Sequence, residues 1–155
     1  MGHMEQPVAV PRVNVDTSQF PVVVVSERGV LSDEERVGVM EALEELVERR
    51  GRHAVVLDLT KAGVVPHTQR TYISEALQLR ADAFVQKWAA LAIIVRSPVL
   101  THLPKAAFWL KVSPVPSRMF GDRDEAMTWA RGCATLASSG AIPISTVAAK
   151  ERAGR

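Results

Sequence analysis

In the stretch Val55-Val56-Leu57-Asp58-Leu59-Thr60, an apolar run surrounds a single aspartate and is followed by a threonine, which predicts a buried strand from Ala54 to Leu59. Similar runs occur at Val22 to Val25 and at Ala89 to Val95, and a shorter one at Arg118 to Phe120. Short continuous apolar runs are typical of strands that are covered on both faces. Helical patterns separate these runs, which predicts parallel strands joined by right-handed crossovers.

Two of the predicted helices are marked by capping residues at their first turn. Ser32-Asp33-Glu34-Glu35 is a capping box, in which Ser32 accepts from the Glu35 amide while Glu35 reaches back. Asp122-Arg123-Asp124-Glu125 is a similar arrangement before the last helix. These local signals predict where both helices begin.

The connection between the second and third buried strands is expected to be helical. After a loop from Thr60 to Pro66, apolar residues recur at helical spacing from about Thr68 to Gln86. Ser97-Pro98 predicts the start of a further helix, which Pro104 should kink or split.

The sheet is expected to be mixed. Valines between Val8 and Val15 indicate a first strand, which Pro11 restricts to a sheet edge because proline cannot donate a ladder hydrogen bond. A short turn from Asp16 to Gln19 joins it to Val22 to Val25, which predicts an antiparallel pair. The predicted fold class is α/β, with a mixed sheet of four to five strands, otherwise mostly parallel, packed by about four helices.

Length and composition predict one domain in a reducing compartment. The 155 residues include one cysteine, Cys133, so no internal disulfide is possible and a cytoplasmic location is expected. No apolar run approaches the roughly 18 residues that span a bilayer, so no membrane insertion is expected. Residues 1–7 are interpreted as a tag remnant and disordered start, 8–137 as a single domain and 138–155 as a flexible tail.

The formal net charge of +2 does not indicate a nucleic-acid partner. Lys150, Arg152 and Arg155 against Glu151 supply all of this excess, so the other residues sum to zero. Nucleic-acid binding requires cations clustered on one face, and the sequence shows no such cluster.

Three short patterns carry a family resemblance. Gly29-Val30-Leu31-Ser32 precedes the first helix, Val56-Leu57-Asp58-Leu59-Thr60 ends a strand, and the last helix follows the pattern Phe-x-Asp-x-x-Glu-Ala-x-x-Trp. The residues of that pattern are Phe120, Asp122, Glu125, Ala126 and Trp129. In order and spacing, the patterns resemble the STAS domain of bacterial anti-sigma-factor antagonists, and most closely its small stand-alone relatives, over roughly residues 8 to 135.

The resemblance implies regulation by protein contact, without catalysis. In antagonist members, a serine at the start of the helix after the Leu-Asp-Leu-Thr strand end is phosphorylated to release the partner. This chain lacks the expected Asp-Ser-Ser/Thr-Gly signature, and Val65-Pro66-His67-Thr68-Gln69-Arg70 occupies the region. Thr68 is the nearest hydroxyl at the predicted helix start.

A partner-binding or switch site is expected around Lys61, His67, Thr68 and Arg70, with Asp58 beside them. Open α/β sheets place ligand sites at the carboxyl ends of their strands, and Asp58 ends one. A helix N-terminus favours an anion through its free amides and dipole. The alternatives are structural: Asp58 would cap loop amides after the strand, and Thr68 would cap the helix.

Three functions remain open from the sequence. The first is a non-enzymatic regulatory module that binds another protein, with a homodimer possible and with no catalytic residues, metal or cofactor expected. The second is a small carrier of an apolar ligand or lipid, in which the apolar face of Ile73, Leu77 and Phe84 would line a cavity. The third is a hydrolase that uses Asp58 and His67.

Overall fold

The computed structural model describes residues 11–96 and 104–138. Its elements follow one another as β1 (Val13–Asp16), β2 (Val22–Gly29), α1 (Asp33–Arg49), β3 (His53–Ala62), α2 (His67–Leu79), α3 (Ala81–Lys87), β4 (Trp88–Ile94), α4 (Pro104–Val112), β5 (Ser117–Phe120) and α5 (Arg123–Ser138). The predicted α/β class and mixed sheet are confirmed.

The five described strands form one sheet in the order β1-β2-β3-β4-β5. β1 and β2 are antiparallel, as the short turn predicts, and every other pair is parallel. The strand order equals the chain order and never reverses. The described sheet therefore has no topological switch point, the feature at which open α/β sheets form a ligand crevice.

The two faces of the sheet are covered unequally. Alternate residues of the central strands, such as Val23, Val55 and Leu91, pack against the apolar sides of α1 to α4. The intervening residues, such as Val24 and Val56, pack against α5. Four helices therefore lie on one face, and α5 covers the other face.

Small residues bring α5 close to its face of the sheet. Ala126, Ala130 and Ala134 recur at every fourth position and are fully buried against strand residues that include Ala54 and Ala92. Alanines on both sides of a contact let the two backbones approach closely.

The predicted helix caps at Ser32 and Asp122 are confirmed. Ser32 Oγ accepts from the Glu35 amide at 3.1 Å, and the Glu35 carboxylate accepts from the Ser32 amide at 2.9 Å. These hydrogen bonds lower the pKa of Glu35. Asp122 Oδ1 accepts from the Asp124 amide at 3.3 Å at the start of α5.

The predicted loop from Thr60 to Pro66 is wrong in its first half. β3 continues to Ala62, because Lys61 pairs with Arg28 and Ala62 pairs with Gly29 of β2. Pairing with a neighbouring strand extends β3 beyond the end of its apolar run, and the composition of a single segment does not show that effect.

The single helix expected from about Thr68 to Gln86 is two helices. α2 ends at Leu79 and α3 begins at Ala81, and Arg80 between them adopts φ −119° and ψ 29°. The Arg80 guanidinium lies 2.9 Å from a Glu48 carboxylate oxygen and 3.6 Å from one of Glu44, both on α1. Contacts with another helix thus accompany a break that no glycine or proline marks.

Several expectations fall on residues outside the described ranges. These are the valines before Pro11, the helix start at Ser97-Pro98, and the proposed start and tail segments. The described part of α4 begins at Pro104, and α5 continues to Ser138. The division into residues 1–7, 8–137 and 138–155 stays a prediction.

Candidate functional site

Four of the five predicted site residues lie together on the surface where β3 leads into α2. Lys61 is near the end of β3, and His67, Thr68 and Arg70 belong to the first turns of α2. All four side chains are exposed. Asp58 is only part-buried, but its hydrogen bonds turn it toward α5 and away from this group.

Asp58 has its acceptor sites occupied. Its Oδ1 accepts from the Thr60 amide at 3.1 Å and from the Thr60 hydroxyl at 2.7 Å. Its Oδ2 accepts from Nη1 of Arg123 at 3.1 Å, which ties the end of β3 to the first residue of α5. This arrangement is the loop-capping role expected as the structural alternative, extended by an ion pair. A carboxylate engaged in this way is poorly placed to act as a free base.

The start of α2 has no side-chain cap, so the prediction that Thr68 caps it is wrong. The N-cap residue is Pro66, and the first backbone bond runs from the Arg70 amide to the Pro66 carbonyl at 2.9 Å. Thr68 is the second helical residue, and its side chain points to solvent. The amides of the first turn therefore lack an intrahelical partner.

A buried polar network holds this helix start from beneath. Arg36 of α1 donates two bonds to Glu27 of β2, at 2.9 and 3.0 Å, and a third to Oε1 of Gln69 at 3.2 Å. Gln69 Nε2 in turn donates to the Leu31 carbonyl at 2.8 Å and to Asp33 at 3.0 Å. The network joins β2, α1 and α2, and it fixes the residue directly after Thr68.

Two loops beside this helix start are joined backbone to backbone. The Gly63 amide donates to the Gly29 carbonyl at 2.8 Å. A Cβ on Gly63 would lie 2.8 Å from the Val30 side chain and 2.9 Å from the Gly29 backbone, so only glycine fits. Gly29 itself has φ +66°, which favours glycine.

Each of the two loops turns one apolar residue inward and its neighbour outward. Leu31 and Val65 are buried in the core. Val30 and Val64, the residues before them, are 47% and 68% exposed. We call the group of Val30, Lys61, Val64, His67, Thr68 and Arg70 the loop surface. It combines exposed apolar side chains with polar and cationic ones on an anchored backbone.

A groove between α1 and α2 borders the loop surface. Its volume is about 230 Å³, and its lining includes Val37, Thr68 and Tyr72 beside the buried network. Burial and, to a smaller extent, Glu44 and Glu41 raise the pKa of Tyr72. The phenol therefore stays neutral at physiological pH.

The apolar residues that were expected to line a ligand cavity belong to the core. Ile73, Leu77 and Phe84 are almost fully buried and pack in one cluster with the sheet residues Val55 and Leu57. Their side chains are used for packing α2 and α3 onto the sheet.

Cys133 also belongs to the core, as expected from its place on the apolar side of α5. It is buried, and that burial raises the pKa of its thiol. Over residues 11–96 and 104–138, no three His, Cys, Asp or Glu side chains gather in a group that could hold a metal ion. None of the described helices has the length and apolar character needed to cross a membrane.

The architecture has a counterpart among solved structures. An uncharacterized protein of the DUF3478 family from Shewanella loihica, with a SpoIIAA-like fold, superposes with a TM-score of 0.56 at 16% identity. The alignment covers 76% of this chain and 91% of that protein. This chain has a SpoIIAA-like, STAS-like fold.

The STAS-like fold expected from the sequence motifs is thereby confirmed. A second solved structure, an anti-sigma factor antagonist from Mycobacterium paratuberculosis, aligns with a TM-score of 0.48 and 18% identity. That alignment covers 77% of this chain and 92% of the antagonist. No family model and no curated protein matches the sequence.

Sequence reasoning did not find the buried network under the STAS-like loop surface. Arg36 precedes Val39 and Met40 by three and four residues, and Gln69 precedes Ile73 by four. Glu27 follows Val25 by two residues on β2, so both face the same side of the strand. All three polar residues therefore stand at inward-facing positions by periodicity alone. Their spacing could have predicted that they are buried, although polar residues are usually expected at the surface.

Proposed function

We propose that this protein is a non-enzymatic regulatory module that binds another protein through the loop surface. The observation that carries the proposal is the exposure of Val30 and Val64 on two loops that are anchored to each other and to the core. Apolar side chains held outward on a fixed backbone are suited to protein contact. Little conformational entropy is lost when such a surface binds.

The surroundings of these valines also suit a protein partner. Lys61, His67 and Arg70 are exposed on the same segments, so the surface combines apolar and polar side chains, as protein interfaces do. The motif resemblance to STAS domains supports the same function, since that family regulates by protein contact. We place the module in the cytoplasm, in keeping with its single, buried cysteine.

Thr68 is the proposed switch residue within this surface. Its hydroxyl is exposed at the second position of a helix whose first amides have no side-chain cap. A phosphate there would be stabilised by the helix dipole while changing the charge of the surface. Phosphorylation would therefore leave the fold intact and lower the affinity for a partner that binds the unmodified threonine.

A comparative pull-down from the native host tests the proposal. Val64→Asp places a charge on the loop surface, and Leu79→Asp makes the same kind of change at a residue that is 86% exposed on the far end of α2. We expect the same partner to be captured by the wild type and by Leu79→Asp and lost with Val64→Asp. Equal capture by all three proteins would move the interface elsewhere.

The switch is tested separately with Thr68→Glu. We expect an unchanged melting temperature and a reduced affinity for the captured partner, measured by calorimetry. If Thr68→Glu leaves the affinity unchanged and a His67→Ala/Arg70→Ala double variant binds fully, then His67, Thr68 and Arg70 are not part of the binding site. Native mass spectrometry provides the remaining check, because a co-purified lipid would favour the carrier hypothesis instead.

A further inference from the structure

A second charged surface lies at the opposite end of the sheet from the loop surface. The parallel strands β2 to β5 all begin there, and helices α1, α3 and α4 end there. Six cations lie along this edge, which we call the basic edge: Arg49, Arg50, Arg52, Lys87, Lys111 and Arg131. Arg49, Arg50 and Arg52 are neighbours in sequence, whereas Lys87, Lys111 and Arg131 are far from them and from one another, so no single cationic run marks the whole edge.

Several contacts place these cations beside the strand starts. Lys87, directly before β4, donates to the Arg50 carbonyl at 2.7 Å. The Arg50 guanidinium lies 4.6 Å from the centre of the Phe20 ring, just before β2. Arg131 of α5 donates to Gln19 at 3.1 Å in the same turn, so cations flank both faces of the sheet.

Helix dipoles explain only part of this accumulation. Arg49, Lys87 and Lys111 are in the last turns of their helices, where a cation is stabilised by the dipole. Arg52 lies outside any helix, and Arg131 is in the middle of α5. Capping of helix ends does not account for these two.

The charge of the basic edge is poorly neutralised within the molecule. Over the described ranges, the six cations have one ion-pair partner, Glu45, whose carboxylate lies 3.7 Å from Arg49, with both side chains well exposed. Such an exposed pair contributes little. The nearby His53 shows the effect of the surplus: burial first, and then Lys87 and Arg50, lower its pKa.

We propose that the basic edge binds an acidic protein segment, at a surface distinct from the loop surface. Four of the six cations are arginines, whose planar guanidinium groups match carboxylates bidentately. The Phe20 ring is contacted by the Arg50 guanidinium at 4.6 Å and by the His53 ring at 5.6 Å, which disfavours the base stacking that single-stranded nucleic acids use. Val85, two residues before Lys87 on α3, is 47% exposed, so phosphatidylglycerol vesicles are the competing probe in the test below.

Binding of a labelled glutamate homopolymer, followed by fluorescence anisotropy, tests this proposal. The variant Arg52→Glu/Lys111→Glu reverses two exposed cations of the basic edge. Arg96→Glu/Arg118→Glu is the matched control, since it makes the same change in net charge at exposed cations that belong to neither the basic edge nor the loop surface. Circular dichroism and melting curves confirm that both variants fold.

We expect the basic-edge variant to bind the homopolymer about ten-fold more weakly at low salt, and the control variant to change affinity less than about two-fold. Binding of the wild type should weaken as salt rises, because screening shortens the reach of exposed charges. No binding by the wild type, or equal losses in both variants, would overturn the proposal. Tighter binding to a single-stranded oligonucleotide of equal length, or to phosphatidylglycerol vesicles, would also overturn it.

This test is independent of the proposed regulatory function. The homopolymer assay does not involve Val64 or Thr68, and the pull-down comparison does not involve Arg52 or Lys111. Either surface can therefore be rejected while the other stands.

Discussion

Arg36 and Glu27 form a two-pronged ion pair inside the protein, with both side chains only 2% exposed. The pair joins α1 to β2, and Gln69 extends it to α2. Charges removed from water are costly unless they are well hydrogen-bonded, and each side-chain nitrogen of Arg36 and each carboxylate oxygen of Glu27 has a partner. Its position under the loop surface connects the stability of the fold with the presentation of the proposed site.

Removing one partner of this pair should destabilise the fold strongly. Glu27→Ala leaves a buried guanidinium without its carboxylate, and we expect a loss of about 3–5 kcal/mol in the free energy of unfolding. The double variant Glu27→Leu/Arg36→Met should lose much less, because no buried charge remains. Urea denaturation measures the free energy of unfolding of both variants. Equal losses would show that an unpaired buried charge is not the cause of the destabilisation.

The capping box at α1 should contribute a smaller, local amount. Ser32→Ala removes the acceptor for the Glu35 amide, and we expect a loss of about 1 kcal/mol. Thr135→Ala is the control, because its exposed hydroxyl bonds only to the Arg131 carbonyl within α5. Thermal unfolding of both variants checks the difference. Similar losses would argue against a capping contribution.

Two glycine substitutions should have opposite effects on stability. Gly63→Ala places a methyl group within 2.9 Å of the Gly29 backbone, so the joined loops must shift and the melting temperature should fall. Gly132→Ala meets nothing within 4 Å inside α5, and we expect a gain of roughly 0.5–1 kcal/mol. Calorimetry compares the melting temperatures of the two variants. An unchanged melting temperature of Gly63→Ala would show that the two joined loops can move apart without loss of stability.

Stability should fall as the pH falls below about 6.5, through His53. Burial, with smaller effects of Lys87 and Arg50, lowers the pKa of His53 from 6.5 in the folded state. Between 6.5 and the lower folded-state pKa, His53 is therefore protonated in the unfolded chain and neutral in the folded protein, so stability falls as the pH falls through this range. Above 6.5 both states are neutral at this group, and its contribution is constant.

The measurement is the free energy of unfolding at about pH 7.5 and about pH 5.5. We expect a smaller decrease between these two values in His53→Phe than in the wild type. The control His67→Ala removes an exposed histidine and should keep the wild-type decrease. An unchanged decrease in His53→Phe would assign the pH dependence to other groups.

The sequence predicted features that depend on neighbouring residues better than features that depend on distant ones. The caps at Ser32 and Asp122 are local hydrogen bonds, and both are present. The break at Arg80 and the extension of β3 to Ala62 depend on α1 and β2, and neither was foreseen.

The same division applies to the candidate site. The sequence placed Lys61, His67, Thr68 and Arg70 on one continuous segment, and these residues are exposed together. It did not show the contact of the second loop, at Gly29 and Val30, which is distant in sequence. Nor did it show the basic edge, whose cations are collected by the common direction of parallel strands.

The lone helix on one face of the sheet has a consequence during synthesis. α5 is the last described element, so the ribosome releases all five strands before the residues that cover Val22, Val24 and Val56. Until then a nascent chain exposes a broad, β-branched surface of the kind that aggregates or recruits chaperones. This face of the sheet is therefore covered only after α5 has left the exit tunnel.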